Sequence, residues 1–221
     1  TERNMRYLSA LLLSIFMISG CFAQDDSKTV ISIAETKKSR EKLPLIQNGD
    51  VKNVIFMIGD GTGLAQISSG QLHLVGKGGL LNIQRLPVIG LVKTYSTDNL
   101  ITDSASGATA FSCGKKTNNR MIAMLPDNTP CKTILEHAEE QGMSTGLVAT
   151  SGITHATPAS YAAHVSDRGM QSKIAEQFMS SGVEVFLGGG TEYFIPQSVE
   201  GSKREDDRNL IQEFNSNGYT Y

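Results

Sequence analysis

Short apolar runs rich in β-branched residues alternate along this chain with stretches of helical periodicity, and that alternation restricts the fold more than any other feature. Asn53–Ile58 (NVIFMI), Pro87–Tyr95 (PVIGLVKTY), Ser144–Thr150 (STGLVAT) and Val183–Leu187 each read as a buried strand. The first closes on Gly59-Asp60-Gly61 and the last on Gly188-Gly189-Gly190. Between and after them, Gly63–Val75, Ser104–Cys113, Lys132–Gln141, Pro158–Val165, Gln171–Ser181 and Asp206–Asn217 read as helices. Strand-helix alternation calls for right-handed crossovers and a mostly parallel sheet with helices on both faces, a three-layer α/β sandwich. In such sheets ligands gather outside the carboxyl ends of the strands. Asp60, Asp103-Ser104 and His155-Ala156-Thr157 all fall there.

Residues 1–50 do not share this pattern. Arg6 followed by the apolar run Leu8–Ile18 and then Ser19-Gly20-Cys21 reads as a signal peptide over residues 1–21. Ile18-Ser19-Gly20-Cys21 also resembles a bacterial lipobox, in which the cysteine becomes the lipidated N-terminus. The expectation is therefore an exported protein, periplasmic or at the cell surface, anchored to a bacterial membrane through Cys21. Residues 22–50 are polar and charge-rich and read as a tether, leaving residues 51–221 as the folded domain. With Cys21 lipidated, Cys113 and Cys131 remain; they could pair in an oxidising compartment, and the sequence alone leaves this open. A net charge of −2 gives no electrostatic case for nucleic acid as a partner.

Thr102-Asp103-Ser104-Ala105-Ser106-Gly107 places a hydroxyl beside a carboxylate where a helix of small residues begins. A helix start presents unpaired N–H groups and partial positive charge, which suits an anion and a developing alkoxide. The same residues also make an ordinary N-cap, the commoner outcome. Gly59-Asp60-Gly61-Thr62-Gly63 lacks the third glycine of the dinucleotide fingerprint and the Lys-Ser/Thr of a phosphate loop, so its glycines argue for a tight turn. Asp60, flanked by glycines, is accessible to a cation. Arg168 offers a bidentate fork for two phosphoryl oxygens, or else a solvated cation near a helix end. A Ser-His-Asp hydrolase reading is weak: the G-x-S-x-G elbow is missing, His137 reads as a surface residue and His164 as a satisfied, partly buried one. Lys115-Lys116 reads as solvated charge.

Taken together and in order, NVIFMIGDGTG, TDSASGATA, THATPASYAAHVSDR and VEVFLGGGTEYF resemble the alkaline phosphatases across nearly all of residues 50–221. The resemblance implies a metal-dependent phosphomonoesterase on a large α/β sheet, with two zinc ions and one magnesium. It implies Ser104 as the nucleophile that becomes phosphoserine, Arg168 as the phosphate clamp and Asp103 as the residue that orients it. Asp60 is then the carboxylate bridging a zinc and the magnesium, Ser104 a zinc-activated alkoxide, and Thr157 a magnesium-ligating hydroxyl. His155 stands where the family carries Asp or His, and an imidazole suits magnesium less well than a carboxylate. The family's remaining zinc ligands lie beyond a point like Tyr221, so the resemblance implies an N-terminal portion that is inactive alone. Small phosphate monoesters are the implied substrates, and a homodimer stays open. The competing readings are a sulfatase or phosphodiesterase of the same superfamily, and a non-catalytic phosphate-binding or membrane-tethered interaction module.

Overall fold

The computed structural model describes residues 51–221, and the expected signal peptide, lipobox and tether lie outside them. The chain divides into two compact units. One contains residues 63–89 of the described part; the other contains residues 51–62 and 90–221.

In the first unit, helix α1 spans Leu64–Val75. The Gln66 side chain accepts the Gly63 N–H at 3.0 Å, so the helix start is satisfied by its own third residue. Gly76 ends it at φ 67°, a conformation that favours glycine. A 3-10 turn at Asn82–Arg85 follows, fastened to α1 by the Gln84 amide, which donates to Gln71 Oε1 at 2.8 Å.

The second unit holds helices α2 (Ser104–Cys113), α3 (Ile134–Glu140), α4 (Ala156–Ala162), α5 (Gln171–Phe178) and α6 (Leu210–Ser216). Its strands are β1 (Gly146–Gly152) and β2 (Val185–Gly189), and a 3-10 turn lies at Thr191–Tyr193. The strands pair in parallel, Gly146 opposite Val185 and Leu147 opposite Phe186, with an irregularity between Val148 and Gly152. Helices α4 and α5 make the crossover between them, the βαβ arrangement that the alternating pattern predicts. The core gathers Ile122, Leu135, Leu147, Ile174, Phe178, Val183 and Leu210. Phe178 stacks on Phe186 with ring centroids 4.8 Å apart, and Phe214 meets Tyr219 edge-on at 4.9 Å.

Helix α2 runs over the expected residues because both of its ends are locally encoded. Asp103 Oδ1 accepts the Ser106 N–H at 3.0 Å, and Gly114 stops the helix at φ 66°. Alanine-rich faces let α2 pack directly on α4, with Ala105, Ala156 and Ala159 at or near zero exposure. Ser160 Oγ, in α4, donates to Ala156 O at 2.8 Å and lies 3.4 Å from Ala105 O in α2.

Two expected strands are not formed. Among the described residues, Asn53–Ile58 and Pro87–Tyr95 join no ladder, and most of their side chains are exposed. A strand exists through its partner, because an apolar run without one has nothing to receive its N–H and C=O groups. The first run is held instead through Ile58, packed on the core, and Phe56, whose ring lies 5.8 Å from that of Phe111. Lys116 also departs from expectation: its ammonium donates to the carbonyls of Lys93 and Tyr95 and sits 3.8 Å above the Tyr95 ring. No helix among the described residues is long and apolar enough to cross a membrane.

Candidate active site

Asp103 and Ser104 sit side by side at the start of α2, Asp103 as its cap and Ser104 as its first residue. The loop leading to them is held by Asn119. Its Oδ1 accepts the Asp103 N–H at 2.9 Å, its Nδ2 donates to Ile101 O at 2.9 Å, and its own N–H donates to Asp98 Oδ1 at 2.9 Å. The Ser106 hydroxyl lies 2.9 Å from the same Asn119 oxygen and 3.1 Å from Asp103 Oδ1.

Arg168 reaches this group through a short antiparallel pairing of two loops. Ile122 and Val165 exchange backbone hydrogen bonds at 2.9 and 3.1 Å, and the Arg168 N–H then donates to Arg120 O at 2.7 Å. With its backbone so fixed, Arg168 Nη1 donates to Asp103 Oδ2 at 3.1 Å and to Ser104 Oγ at 2.9 Å. Its Nη2 donates to His155 Nε2 at 3.1 Å, which makes that nitrogen the acceptor of the imidazole. Of the five guanidinium N–H bonds, those on Nε and the second on Nη2 find no acceptor among the described residues. Arg168 is therefore no solvated helix-end cation: its side chain is 22% exposed and ion-paired.

Burial pushes the Asp103 carboxyl up, but the N–H groups of Ser106 and Arg120, the Arg168 guanidinium and the Ser106 hydroxyl outweigh it. The net result is a carboxyl held below its usual range. Asp103 thus stays anionic opposite Arg168. Because Arg168 donates to Ser104 Oγ, that oxygen keeps its own proton to give away.

Asp60 and Thr157 form a second pair. The turn that carries Asp60 is closed by the Thr62 N–H on Gly59 O at 3.1 Å, with Gly61 at φ 66°, so this glycine-rich segment is the tight turn that its spacing predicts. Thr157 Oγ1 donates to Asp60 Oδ2 at 3.0 Å. Thr157 and His155 follow the carboxyl end of β1, His155 as the residue before α4. The segment 155–157 thus touches Arg168 at one end and Asp60 at the other. Asp60, Asp103, Ser104, His155, Thr157 and Arg168 are each hydrogen-bonded to another of the six.

His164 is satisfied, as expected: Nδ1 lies 2.8 Å from Ala123 O and Nε2 2.8 Å from Glu136 Oε1. His137 is exposed. Neither is bonded to Ser104.

Asn119 and Arg120 went unread in the sequence. Arg120 takes φ 74°, donates its N–H to Asp103 Oδ2 at 3.1 Å, and forks onto Asp167 at 2.7 and 2.8 Å. That fork holds the Asp167 carboxyl below its usual range. The only available signal was the run Asn118-Asn119-Arg120, whose asparagines tolerate irregular backbone.

Asp60 and Thr157 present hard oxygen donors of the kind magnesium takes. Among the described residues no group of three or more His, Cys, Asp or Glu is gathered as a metal cage. A full zinc site needs several such ligands, so these residues do not complete one.

Comparison with known proteins places the chain in a family. The family model described as alkaline phosphatase matches residues 51–221. The repressible alkaline phosphatase of Saccharomyces cerevisiae is 39% identical over 191 residues, covering 77% of this chain and 33% of that protein. Alkaline phosphatase 4 of Bacillus subtilis is 37% identical over 202 residues, covering 86% of this chain and 41% of its own length. The solved alkaline phosphatase of the Antarctic bacterium TAB5 superposes with a TM-score of 0.65 at 44% identity, covering 73% of this chain and 44% of that one. A variant of that enzyme with a histidine replaced by glutamate carries magnesium in a site called M3. The chain thus spans less than half the length of these relatives. With a matching fold and a family model over the whole described region, the chain belongs to the alkaline phosphatase family.

Proposed function

We propose that the whole protein carrying this chain hydrolyses phosphate monoesters through a phosphoserine on Ser104. The observation that supports this best is the shared Arg168 Nη1, which donates to Asp103 and to Ser104 Oγ together. The substrate phosphate docks at the start of α2, where helix N–H groups face an anion, and the two uncommitted N–H bonds of Arg168 take two phosphoryl oxygens. Asp103 holds the guanidinium in place. Ser104 Oγ then forms a bond to phosphorus as the ester oxygen leaves, and the serine proton ends on the released alcohol. Water next cleaves the serine–phosphorus bond, restoring the hydroxyl and releasing phosphate.

For the whole protein we propose two zinc ions and one magnesium, to which this chain brings Asp60, Ser104, Thr157 and His155. When bound, such ions neutralise charge on the transferring phosphoryl group and lower the pKa of the attacking oxygen. The Asp60–Thr157 pair fits magnesium; His155, with Nε2 accepting from Arg168, has only Nδ1 left for other partners. For zinc the described residues form an incomplete set, so residues 1–221 alone are proposed to bind phosphate without turnover.

The test is hydrolysis of an aryl phosphate by the whole protein, with digestion and mass spectrometry to find the phosphorylated residue. Loss of turnover in Ser104→Ala and on chelation, with phosphate trapped on Ser104 in the unmodified protein, supports the proposal. Phosphate binding without turnover in the whole protein points to the non-catalytic module, and preference for a sulfate ester or phosphodiester points to the other superfamily chemistries. Export and lipidation at Cys21 are proposed from the apolar run Leu8–Ile18 and the Ser19-Gly20-Cys21 sequence. An acyl-modified N-terminal peptide that disappears in Cys21→Ser is the expected outcome.

A further inference from the structure

Cys113 closes α2, and Cys131 lies 18 residues further on, just before the Thr133 cap of α3. Cys131 is buried and Cys113 half-buried. The Cys113 thiol donates to the Cys131 carbonyl at 3.0 Å, while the Cys131 N–H is fixed on Ala123 O at 2.9 Å. The Cys113 sulfur thus rests on the main chain of Cys131 itself. The intervening loop is held in place by Thr97 N–H on Thr117 O at 2.9 Å and by Leu125 N–H on Thr129 O at 2.7 Å. The Cys113 thiol is therefore held against Cys131 across a fixed backbone, at the end of α2 opposite Ser104.

We propose that Cys113 and Cys131 are a disulfide site, closed by exchange with a small-molecule disulfide such as oxidised glutathione. The half-buried Cys113 reacts first: its thiolate attacks one glutathione sulfur, the glutathione S–S bond breaks, and one glutathione thiolate leaves. The Cys131 thiolate then attacks the Cys113 sulfur of this mixed disulfide and expels the second glutathione thiolate. Two protein thiols are oxidised, one glutathione disulfide is reduced, and the two protons end on the two glutathiones. The bond fastens the helix that bears Ser104 to the entry of α3.

Burial pushes both thiols up, Cys131 to about 12 with the Cys113 sulfur adding to the effect. The groups facing them are the Glu136 carboxylate, which raises both, the Ser112 hydroxyl, which opposes this at Cys113, and Tyr161, whose buried hydroxyl lacks a partner. Exchange needs thiolate, so closure is slow near neutral pH and faster in alkali.

The experiment uses the whole protein in its native sequence and as Cys21→Ser, incubated with oxidised glutathione at neutral and alkaline pH. Non-reducing peptide mapping should find a Cys113–Cys131 peptide, with a mass lower by two hydrogens, in both proteins. It should form faster in alkali and be reversed by dithiothreitol. The oxidised form should melt about 2–5 °C higher than the reduced form. Two alkylatable thiols after prolonged incubation, a stable glutathione adduct on Cys113, or a bond to Cys21 instead would overturn the proposal. Because the reading comes from the unmodified pair, it does not depend on a cysteine variant folding.

Discussion

Replacing Asp103 by Asn and by Ala separates its two tasks. The carboxylate caps α2 through Oδ1 and holds Arg168 and the Arg120 N–H through Oδ2. Asn keeps an oxygen for the cap but turns an NH2 toward the Arg120 N–H and the Arg168 guanidinium, donor against donor. Side-chain exposures of 25% for Asp103 and 22% for Arg168 leave the pair only partly screened. A charge-assisted hydrogen bond at the lower end of its range together with one backbone bond is worth about 2–3 kcal/mol. Ala should cost about 1 kcal/mol more, because the cap goes as well. Urea unfolding reads both variants as a lower midpoint at unchanged slope. A cycle with Arg168→Met should return a coupling of about 1–2 kcal/mol.

The pH dependence has a definite sign. The folded-state pKa of Asp103 is depressed, so its contribution is complete above the unfolded carboxylate value of about 3.9 and is lost as pH falls through the lower folded value. The difference between the native protein and Asp103→Asn should accordingly shrink in acid. Equal stability of the native protein and the Asn variant at neutral pH, or zero coupling to Arg168, would refute the assignment of Asp103 as the residue that holds the guanidinium.

Three further outcomes follow from the packing. Phe178→Ala empties a fully buried position stacked on Phe186 and should cost about 3–5 kcal/mol, read by thermal or urea unfolding. Arg204 has a side chain with no exposure, bonded to Asp206, Glu176 and the carbonyls of Ser172 and Tyr193. Arg204→Met strands those acceptors; as both carboxylates are partly exposed, a loss of about 2–3 kcal/mol is expected in the same assay. Asn119→Ala should lower kcat of the whole protein more than it lowers the melting temperature, since it frees the loop that sets Asp103; an unchanged kcat beside a lowered melting temperature would make Asn119 merely structural.

What could be read in advance follows the range of the interactions involved. Helix α2 was legible to the residue because Asp103, Ser106 and Gly114 encode its ends locally. Strands β1 and β2 were displaced by about two residues, as expected where only periodicity marks a boundary. Asn53–Ile58 looked like a strand because apolar content reports burial demand, whereas pairing depends on a partner elsewhere in the chain. The individual site residues Asp60, Ser104 and Arg168 could each be a turn, a cap or a surface cation; only their order along the chain pointed to one site. Asn119 and Arg120 stayed hidden because their contacts to the Asp103 loop reach across 16 and 17 residues, and an arginine at φ 74° leaves no compositional trace.

The alanine contact between α2 and α4 has a consequence for how this site tolerates change. Ala105, Ala156 and Ala159 have at most 1% exposure and no rotamers with which to absorb an added methyl group. Their methyls act as a gauge that sets the spacing between the helix bearing Ser104 and the helix bearing Thr157. Enlarging one of them, as in Ala105→Val, cannot be accommodated by a side chain swinging aside, so the helices themselves must part. The error would then surface as a misplaced serine relative to Asp60 and Thr157 rather than as a lost contact. Variation at these small residues is thereby a dimensional tolerance on the chemistry, set by the narrowest side chains that the interface contains.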